Sequence, residues 1–220
     1  MALLFEDNFL GTGLLSSHVS DSGHGWTPIT QIPINCAQVS NGLIGGAFNG
    51  VGGFIFDFKS QNLTSDADTV TIEAEVEWST GTGGYGFVGI GVQGVSGTFE
   101  FTISRGIEEG EPVYYTYIGS PDVTNIVITN FYEGVNTLKA QLDFANNVSA
   151  LFVNGVQIYY GPKAQTLSQP YGAYVACSND YTSTLHNNLR YNYLRITDEA
   201  PQPPVVGEWW RNIVKAVETP

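Results

Sequence analysis

The stretch TLKAQLDFANNVSALFVNGVQIYY, residues 137–160, decides the fold. Apolar and polar side chains alternate from Leu138 to Phe144, which is the period-two pattern of a half-buried strand. Asn146-Asn147 interrupts this pattern. Asn154-Gly155 is the strongest short hairpin signal, because both central positions of a type I′ turn need positive φ. The stretch therefore predicts three consecutive antiparallel strands joined by tight turns.

A three-stranded meander with one apolar face must be covered by a second layer. The remaining chain offers further short segments with strand character, separated by turn residues at the spacing of a sandwich. Residues 10–29 are predicted as a loop. The sequence thus predicts an all-β protein of two antiparallel sheets, and its other predicted strands are residues 3–9, 37–43, 53–58, 69–78, 85–93, 98–104, 113–118, 126–129, 172–177 and 191–197.

Composition and charge restrict the classes of partner. With 26 Gly, 10 Pro and 13% charged residues, the chain suits many short strands better than long helices. A net charge of −13 with only 8 Lys and Arg argues against nucleic acid and against anionic membrane surfaces. No secretory signal and no transmembrane run is recognised, so we expect synthesis in a cytoplasm. Cys36 and Cys177 are expected to be reduced thiols in the core.

Four stretches together resemble one family: DNFLGTGLLSSHVSDSGHGWT, TVTIEAEVEW, NTLKAQLDFANNVSALFVNGVQIYYG and NLRYNYLRIT. Their order over residues 3–197 is similar to the concanavalin A-like lectin/glucanase jelly roll, and more narrowly to laminin-G-like variants of bacterial surface proteins and phage virion proteins. The resemblance implies two stacked sheets with loops along one edge and one concave face. Members include carbohydrate-binding modules, adhesion modules, glucanases and virion structural proteins.

Three carboxylates alternate with apolar residues in the segment IEAEVEW, which places Glu73, Glu75 and Glu77 on one face of a strand. This segment resembles the Glu-x-Asp-x-Glu strand of retaining glucanases, with Glu75 where those enzymes carry Asp. The resemblance implies that Glu73 is the nucleophile and Glu77 the acid/base. However, residues four apart on a flat strand are about 13 Å apart, whereas a retaining pair needs carboxyl groups about 5–5.5 Å apart. A solvated outer face of a sheet is the simpler interpretation.

Aromatic residues in or beside predicted turns could bind sugars, since flat rings offer apolar faces and tyrosines add a hydroxyl. The candidates for such a ligand-binding surface are Trp26, Tyr85, Tyr114 and Tyr181. Packing in the core is the alternative for each ring. Asp66, Asp68 and Asp180 are loop oxygen donors of the kind that calcium prefers. Turn formation explains the same residues, so no cofactor is assigned and calcium is only a weak candidate.

The C-terminal segment departs from the rest of the chain. Residues 199–207 form a Pro-rich, stiff linker between a domain at 1–198 and an anchoring segment at 208–220. Written on a helix, the anchoring segment carries one apolar stripe opposite a charged face. Such a short helix is marginal alone and needs a partner. We therefore predict partner binding through Trp209, Trp210, Ile213, Val214 and Val217.

These features favour a non-enzymatic virion structural protein, as a capsid decoration or a tail or fibre component. Its partners would be other virion subunits in a homo- or hetero-oligomeric assembly, and one face could bind a carbohydrate or host surface. It would be made in the host cytoplasm and reside in the virion, without nucleic-acid binding or membrane insertion. The alternatives are a retaining glycoside hydrolase that uses Glu73 and Glu77, and a free carbohydrate-binding lectin.

Overall fold

The computed structural model describes residues 2–32, 34–45, 54–63, 67–79, 86–108, 111–118, 126–162, 167–179, 188–201 and 203. Apart from one 3-10 turn at Leu15–Ser17, the regular structure of these residues is β. Numbered along the chain, the strands are β1 Leu3–Asp7, β2 Thr12–Leu14, β3 Trp26–Ile32, β4 Ala37–Ser40, β5 Leu43–Gly45, β6 Phe54–Ser60, β7 Thr69–Ser79, β8 Gly86–Gln93, β9 Thr98–Glu108, β10 Glu111–Ile118, β11 Ile126–Val127, β12 Gly134–Asp143, β13 Val148–Val153, β14 Val156–Pro162, β15 Gly172–Asn179 and β16 Asn188–Thr197.

The strands form two antiparallel sheets. The first sheet has nine strands in the order β14-β13-β12-β7-β16-β5-β4-β2, with β1 also paired to β16. The second sheet has seven strands in the order β11-β10-β9-β8-β15-β6-β3. Consecutive strands of the chain repeatedly change sheet, as β7 and β8 do. The predicted all-β sandwich of two antiparallel sheets is confirmed.

The core lies between the inner faces of the two sheets. In β6 the side chains of Phe54, Phe56 and Phe58 are buried, whereas the residues between them are only half-buried. In β7 the same alternation places Ile72 and Trp78 in the core. Burying a large apolar side chain contributes about 1.5–3 kcal/mol. Strand alternation therefore supplies both the cohesion of the sandwich and two outer faces with a different composition.

The predicted meander is confirmed as β12, β13 and β14. Its first pair runs in unbroken register from Leu138 opposite Val153 to Asp143 opposite Val148. The second turn has φ of 50° at Asn154 and 76° at Gly155, the positive values that a type I′ turn requires. The β13–β14 pair contains one irregularity after Leu151, which the alternation pattern did not reveal.

Some predicted boundaries were wrong. The region predicted as a loop at 10–29 contains β2 and the start of β3, an edge strand of the second sheet. Turn residues and Pro28 concealed β3, since proline is tolerated on edge strands but reads as a break. The segment 37–43 is two strands, because Asn41-Gly42 turns the chain with φ of 48° and 145°.

The two cysteines agree with the sequence prediction. Cys36 and Cys177 are free thiols and both are fully buried in the core. Burial raises the pKa of the Cys36 thiol to about 11 and raises that of Cys177 well above its ordinary value. Both thiols are thus held in the protonated, unreactive form at neutral pH.

Candidate functional site

A polar cluster lies on the outer face of the second sheet. Asp57 in β6 alternates with the core residues Phe56 and Phe58, so its side chain leaves the sheet on the opposite side. Tyr174 in β15 is only 6% exposed and is not among the residues of the core cluster. Glu100 in β9 lies between the core residues Phe99 and Phe101. The three side chains therefore share the outer face.

Pairing across four strands places these residues in two neighbouring rows. One row runs Lys59, Tyr174, Gly91 and Glu100 across β6, β15, β8 and β9. The next row runs Asp57, Ala176, Gly89 and Thr102 across the same strands. Asp57 and Glu100 thus lie on the two sides of a surface whose middle strand, β8, carries only glycine in these rows.

Two hydroxyl groups lie near the carboxylate of Asp57, those of Tyr174 in β15 and Thr30 in β3. Burial raises the pKa of Asp57, and the two hydroxyl groups act in the opposite direction because they stabilise the carboxylate. Burial, with the nearby Glu100 and Asp57, raises the pKa of Tyr174. The tyrosine hydroxyl therefore stays protonated and can donate.

Glu100 is a carboxyl group with a pKa close to neutrality. Burial raises the pKa of Glu100 to about 7, the charge of Asp57 adds to the increase, and a hydrogen bond from Thr102 opposes it. A carboxyl group with this pKa can donate a proton or a hydrogen bond near neutral pH, while Asp57 accepts. The pair thus combines a donor and an acceptor on one surface.

Glycine in β8 makes room for Glu100. A Cβ atom on Gly89 would lie 2.4 Å from Oε1 of Glu100, so the glutamate carboxyl lies directly above Gly89. A Cβ atom on Gly91 would lie 1.9 Å from the backbone oxygen of Phe99. β8 therefore needs glycine at both positions, because the Glu100 side chain lies close to Gly89 and the backbone of β9 lies close to Gly91.

Two of the predicted ligand-binding residues, Tyr85 and Tyr181, are close in the sequence to strands that end at one edge of this face. Phe54, Asn179, Gly86 and Arg105 form a single row at that end of the second sheet. Tyr85 and Tyr181 lie outside the described residues. In the sequence, Tyr85 directly precedes β8, and Tyr181 follows the last residue of β15 by two positions. Their assignment as sugar-binding residues stays a prediction.

The other two predicted ligand-binding rings are buried, which corrects their assignment. Trp26 is 3% exposed and its Nε1 donates to Oδ2 of Asp7 at 2.7 Å. Tyr114 is 6% exposed and its ring contacts Trp78 and Phe131 in the core. Neither ring presents a face to a sugar. The prediction failed because Trp26 was assigned to a loop, and because alternation left open which face of β10 carries Tyr114.

The row Glu73, Glu75 and Glu77 lies on the outer face of the first sheet, as the alternation predicted. Oε1 of Glu73 accepts a hydrogen bond from the hydroxyl of Tyr193 at 2.8 Å, and Oε1 of Glu75 accepts one from Nδ2 of Asn192 at 2.8 Å. Arg195 and Lys139 are the residues opposite Glu73 in the two flanking strands. The hydrogen bonds from Tyr193 and Asn192 explain Glu73 and Glu75 as polar residues of an outer face. Arg195 and Lys139 form their ion pairs with Glu6 and Glu199.

The strand that carries this row pairs continuously with β12, whereas its pairing with β16 has one register shift, between Tyr191 and Tyr193, opposite Val76 and Glu75. Pairing of β7 with β12 is continuous from Trp78 opposite Gly134 to Thr69 opposite Asp143. In such a strand the Cα atoms of Glu73 and Glu77 stay about 13 Å apart. The structure thus brings together Asp57 and Glu100 from different strands, and it keeps Glu73 and Glu77 four residues apart on one strand in unbroken register with β12.

Of the weak calcium candidates, Asp66 and Asp180 lie outside the described residues. The backbone oxygen of Asp68 accepts a hydrogen bond from the Phe144 amide at 2.8 Å, which is a turn contact. Within the described ranges there is no group of three or more His, Cys, Asp or Glu side chains that could hold a metal ion.

The C-terminal residues predicted to bind a partner also lie outside the described part of the chain: Trp209, Trp210, Ile213, Val214 and Val217. The described chain contains no helix long and apolar enough to cross a membrane. Partner binding through the C-terminal segment stays a prediction.

Sequence reasoning did not find Asp57, Glu100 and Tyr174. The alternation in FIFDFKS marks Asp57 as the outward position of a strand, and TFEFTIS marks Glu100 in the same way. What the sequence does not contain is the pairing of β6 with β15 and of β8 with β9. These pairings bring residues 43 positions apart, and a tyrosine 74 positions further on, to one surface.

Several solved structures share this fold. The carbohydrate recognition domain of Emp46p in its metal-free form is 11% identical, with 80% of this chain and 89% of that one covered and a TM-score of 0.56. A second solved structure, from work on endo-acting O-glycanases with which members of the human gut microbiota initiate mucin breakdown, is 13% identical. It covers 89% of this chain and 99% of its own, with a TM-score of 0.58. A family 16 glycosyl hydrolase protein from Mycobacterium smegmatis is 12% identical (89% and 100%, TM-score 0.53).

These similarities establish the architecture. No protein-family model matches the sequence, and no curated protein matches it. At 11–13% identity the likeness to the solved structures shows the fold alone. The chain has the concanavalin A-like jelly-roll fold, as the sequence resemblance implied. The Emp46p domain itself exists in metal-free and potassium-bound forms.

Proposed function

We propose that this protein is a glycan-binding jelly-roll domain that holds a carbohydrate on the outer face of its second sheet. The observation that carries the proposal is the cluster of Asp57, Tyr174 and Glu100 above the glycines of β8. The solved structures with this fold include carbohydrate recognition domains and glycanases, which supports the choice of a carbohydrate as the ligand class.

The chemistry of the cluster suits sugar hydroxyl groups. Each hydroxyl of a sugar is both a donor and an acceptor, so a site that offers both kinds of partner binds it with direction. Asp57 supplies an acceptor, and Glu100, with a pKa of about 7, supplies a donor in part of the population at neutral pH. The partly buried position of the pair strengthens each hydrogen bond that a ligand makes.

The biological setting is a further part of the proposal. The protein would be a virion component, either a capsid decoration or a tail or fibre protein, with the glycan face directed toward the host surface. The segment 208–220 would attach it to other virion subunits. An acidic chain with an amphipathic C-terminal segment agrees with this setting. Electron microscopy of the native particle, with and without residues 206–220, tests the attachment directly.

A binding assay tests the glycan proposal. Laminarin and mucin-derived oligosaccharides serve as probes, because the solved structures with this fold include a β-1,3-glucanase and glycanases connected with mucin breakdown. Binding by the wild-type chain that Asp57→Asn reduces at least tenfold supports the proposal. Binding that Asp57→Asn leaves unchanged, in a variant with an unchanged melting temperature, contradicts it. The free-lectin alternative predicts that the chain truncated after Ala200 binds as tightly as the full chain.

Glycoside hydrolysis is the second candidate function, and the raised pKa of Glu100 favours it. Asp57 and Gly89 are two strands apart, about 10 Å, and the carboxyl of Glu100 lies above Gly89. The two carboxyl groups are then on the order of 5–10 Å apart, which overlaps the separations used by glycosidases. Protonated Glu100 would donate to the leaving oxygen while Asp57 acts as base or nucleophile.

Release of reducing sugar distinguishes the hydrolases from the binding domain. Cleavage that Glu100→Gln abolishes assigns the reaction to the Asp57–Glu100 pair. Cleavage that persists in Glu100→Gln and is lost in Glu73→Gln assigns it to Glu73 and Glu77, the pair that the sequence resemblance implied. Binding without measurable cleavage by the wild-type chain supports the non-enzymatic proposal.

A further inference from the structure

We propose that the glycan held on the outer face of the second sheet is a neutral oligosaccharide, with one sugar ring stacked on Phe87 and the adjoining ring over Gly89 between Asp57 and Glu100. This inference rests on the proposed function and names the class of glycan that the site takes. It also assigns a binding role to Phe87, a residue outside the cluster of Asp57, Tyr174 and Glu100.

Phe87 is an aromatic residue on the outer face of β8. The adjacent Val88 is a core residue, so the side chain of Phe87 leaves the sheet on the opposite side. Phe87 is half-buried, and it belongs neither to the core cluster nor to the apolar residues packed against that cluster. The ring therefore takes no part in the packing between the two sheets.

Phe87 lies between two serines. The residues directly opposite it are Ser178 in β15 and Ser104 in β9. Both serines face outward, because the adjacent Cys177 and Ile103 are core residues. Opposite side chains on a sheet are about 4.5–5.5 Å apart at Cβ, and a serine is too short to cover a phenyl ring. The two strands beside the ring thus leave room for a ligand and offer it a hydroxyl group on each side.

Both carboxyl groups of the cluster lie in the row beside Phe87. Gly89 is the adjoining outward position of β8, about 7 Å along the strand. Asp57 belongs to the row of Gly89. Glu100 pairs with Gly91, one row further away, yet a Cβ atom on Gly89 would lie 2.4 Å from its Oε1. The Glu100 side chain therefore extends toward Phe87, so the ring and both carboxyl groups border one stretch of surface.

The cation of this region extends the other way. Lys59 in β6 faces outward beside the core residue Phe58 and lies opposite Tyr174 of β15. A Cβ atom on Gly172, the adjoining outward position of β15 away from Phe87, would lie 3.1 Å from Cε of Lys59. The charge near Phe87 thus comes from the two carboxyl groups, and like-charge repulsion disfavours a carboxylate or sulfate on the bound sugar.

This arrangement matches the two kinds of surface on a neutral sugar. A pyranose ring carries C–H groups on its faces and hydroxyl groups around its edge. The faces pack on a flat aromatic ring, while the hydroxyl groups bind carboxyl and serine oxygens. A sugar that covers Phe87 leaves the position above Gly89 to the sugar linked to it. The expected ligand is therefore a chain of neutral sugars and not a single one.

Isothermal titration of the full chain tests the role of Phe87. The probes are laminarin oligosaccharides and mucin oligosaccharides from which sialic acid has been removed. Phe87→Ala and Phe87→Leu should each weaken binding about tenfold, because leucine keeps apolar bulk but has no flat ring. Phe87→Trp should bind within about threefold of wild type, since it keeps a flat ring. The matched control is Ile55→Ala, which truncates a half-buried outward residue of the same row, two strands away, and should bind within about twofold.

The outcomes separate this inference from the proposed function. Binding that Asp57→Asn reduces, but that Phe87→Ala reduces no more than Ile55→Ala does, overturns the role of Phe87 and leaves the proposed function standing. Absence of binding of every probe by the wild-type chain overturns both. Melting temperatures equal to that of wild type show that each variant is folded.

A second comparison tests the neutral class of ligand. Mucin oligosaccharides should bind the wild-type chain at least tenfold more weakly before removal of sialic acid than after it. Tighter or equal binding of the sialylated form would contradict the selection of neutral sugars, even if Phe87→Ala weakens binding.

Discussion

The hydroxyl of Tyr174 lies beside the carboxylate of Asp57 on the neighbouring strand, on the outer face of the second sheet, and each group shifts the pKa of the other. The first sheet carries the same kind of pair on its own outer face, where Tyr193 donates to Glu73 at 2.8 Å. Each tyrosine has two carboxyl groups nearby that raise its pKa, Glu73 and Glu75 for Tyr193 and Glu100 and Asp57 for Tyr174. The surroundings differ because Arg195 and Lys139 flank Glu73, and because Tyr174 is the more deeply buried of the two tyrosines.

Tyr174→Phe should weaken glycan binding about tenfold, because it removes the hydroxyl that lies beside Asp57 and stabilises its carboxylate, and polar interactions with charged groups contribute about 1.5–3 kcal/mol. Isothermal titration with a bound oligosaccharide measures the change. Tyr193→Phe is the matched control, since it removes the hydroxyl that donates to Glu73 on the other sheet. Equal losses in both variants would show that the effect is general destabilisation and not a property of the second-sheet face.

Glu100 should make stability depend on pH between about 4.5 and 7. Its pKa rises from an ordinary value of 4.5 to about 7 on folding, chiefly through burial. The folded protein therefore binds this proton more tightly than the unfolded chain. The resulting stability is fully present below pH 4.5 and is lost as the pH rises through 7.

Glu100→Gln isolates this contribution, since glutamine cannot ionise. Relative to wild type, the variant should gain on the order of 2 kcal/mol in free energy of unfolding between pH 4.5 and pH 8. Urea denaturation at both pH values measures the difference. A difference between the two proteins that is the same at pH 4.5 and at pH 8 would mean that Glu100 has no raised pKa.

Two glycines of β8 should respond differently to alanine. In Gly89→Ala the new Cβ meets the flexible carboxyl of Glu100 at 2.4 Å, so the side chain moves away and glycan binding falls while the fold persists. In Gly91→Ala the new Cβ meets the backbone oxygen of Phe99 at 1.9 Å, which the sheet cannot relieve without breaking the β8–β9 pairing. Thermal unfolding of both variants, with Gly91→Ala far less stable, checks this contrast.

Asp7 should be a major determinant of stability. Its buried carboxylate accepts hydrogen bonds from Nε1 of Trp26 at 2.7 Å, from Nε2 of His18 at 2.9 Å and from the Phe9 amide at 2.7 Å. Asp7→Ala leaves these donors without their acceptor, at a cost of about 3–5 kcal/mol. Asp21→Ala is the control, because its hydrogen bonds to Asn8 are exposed. Urea denaturation giving similar losses for both would contradict this role.

The sequence predicts the architecture well where turn chemistry and alternation agree. The meander follows from the alternation after Leu138 and from Asn154-Gly155, and both turn residues have the positive φ that was required. Edge strand β3 was not predicted, because Pro28 and the glycines before it are typical of a loop. Tertiary pairing with β6 overrides that local preference, as edge strands permit.

The residues of the candidate site could not be predicted from the sequence as well as the fold could. A row such as Glu73, Glu75 and Glu77 attracts attention because its members are adjacent in one strand. Asp57 and Glu100 are each an unremarkable polar residue in an alternating strand, and only the order of strands in the second sheet joins them. Register between strands that are distant in the chain depends on the packing of both sheets, which alternation within one strand does not encode.

The most direct test of the central claim compares the two outer faces in one glycan-binding titration. The double variants Asp57→Asn/Glu100→Gln and Glu73→Gln/Glu77→Gln remove the same number of carboxylates from opposite sides of the sandwich. We predict that the first abolishes measurable oligosaccharide binding and that the second binds within about twofold of wild type, with both proteins folded. Binding that survives the first variant and is lost in the second would contradict the assignment of the ligand face to the second sheet.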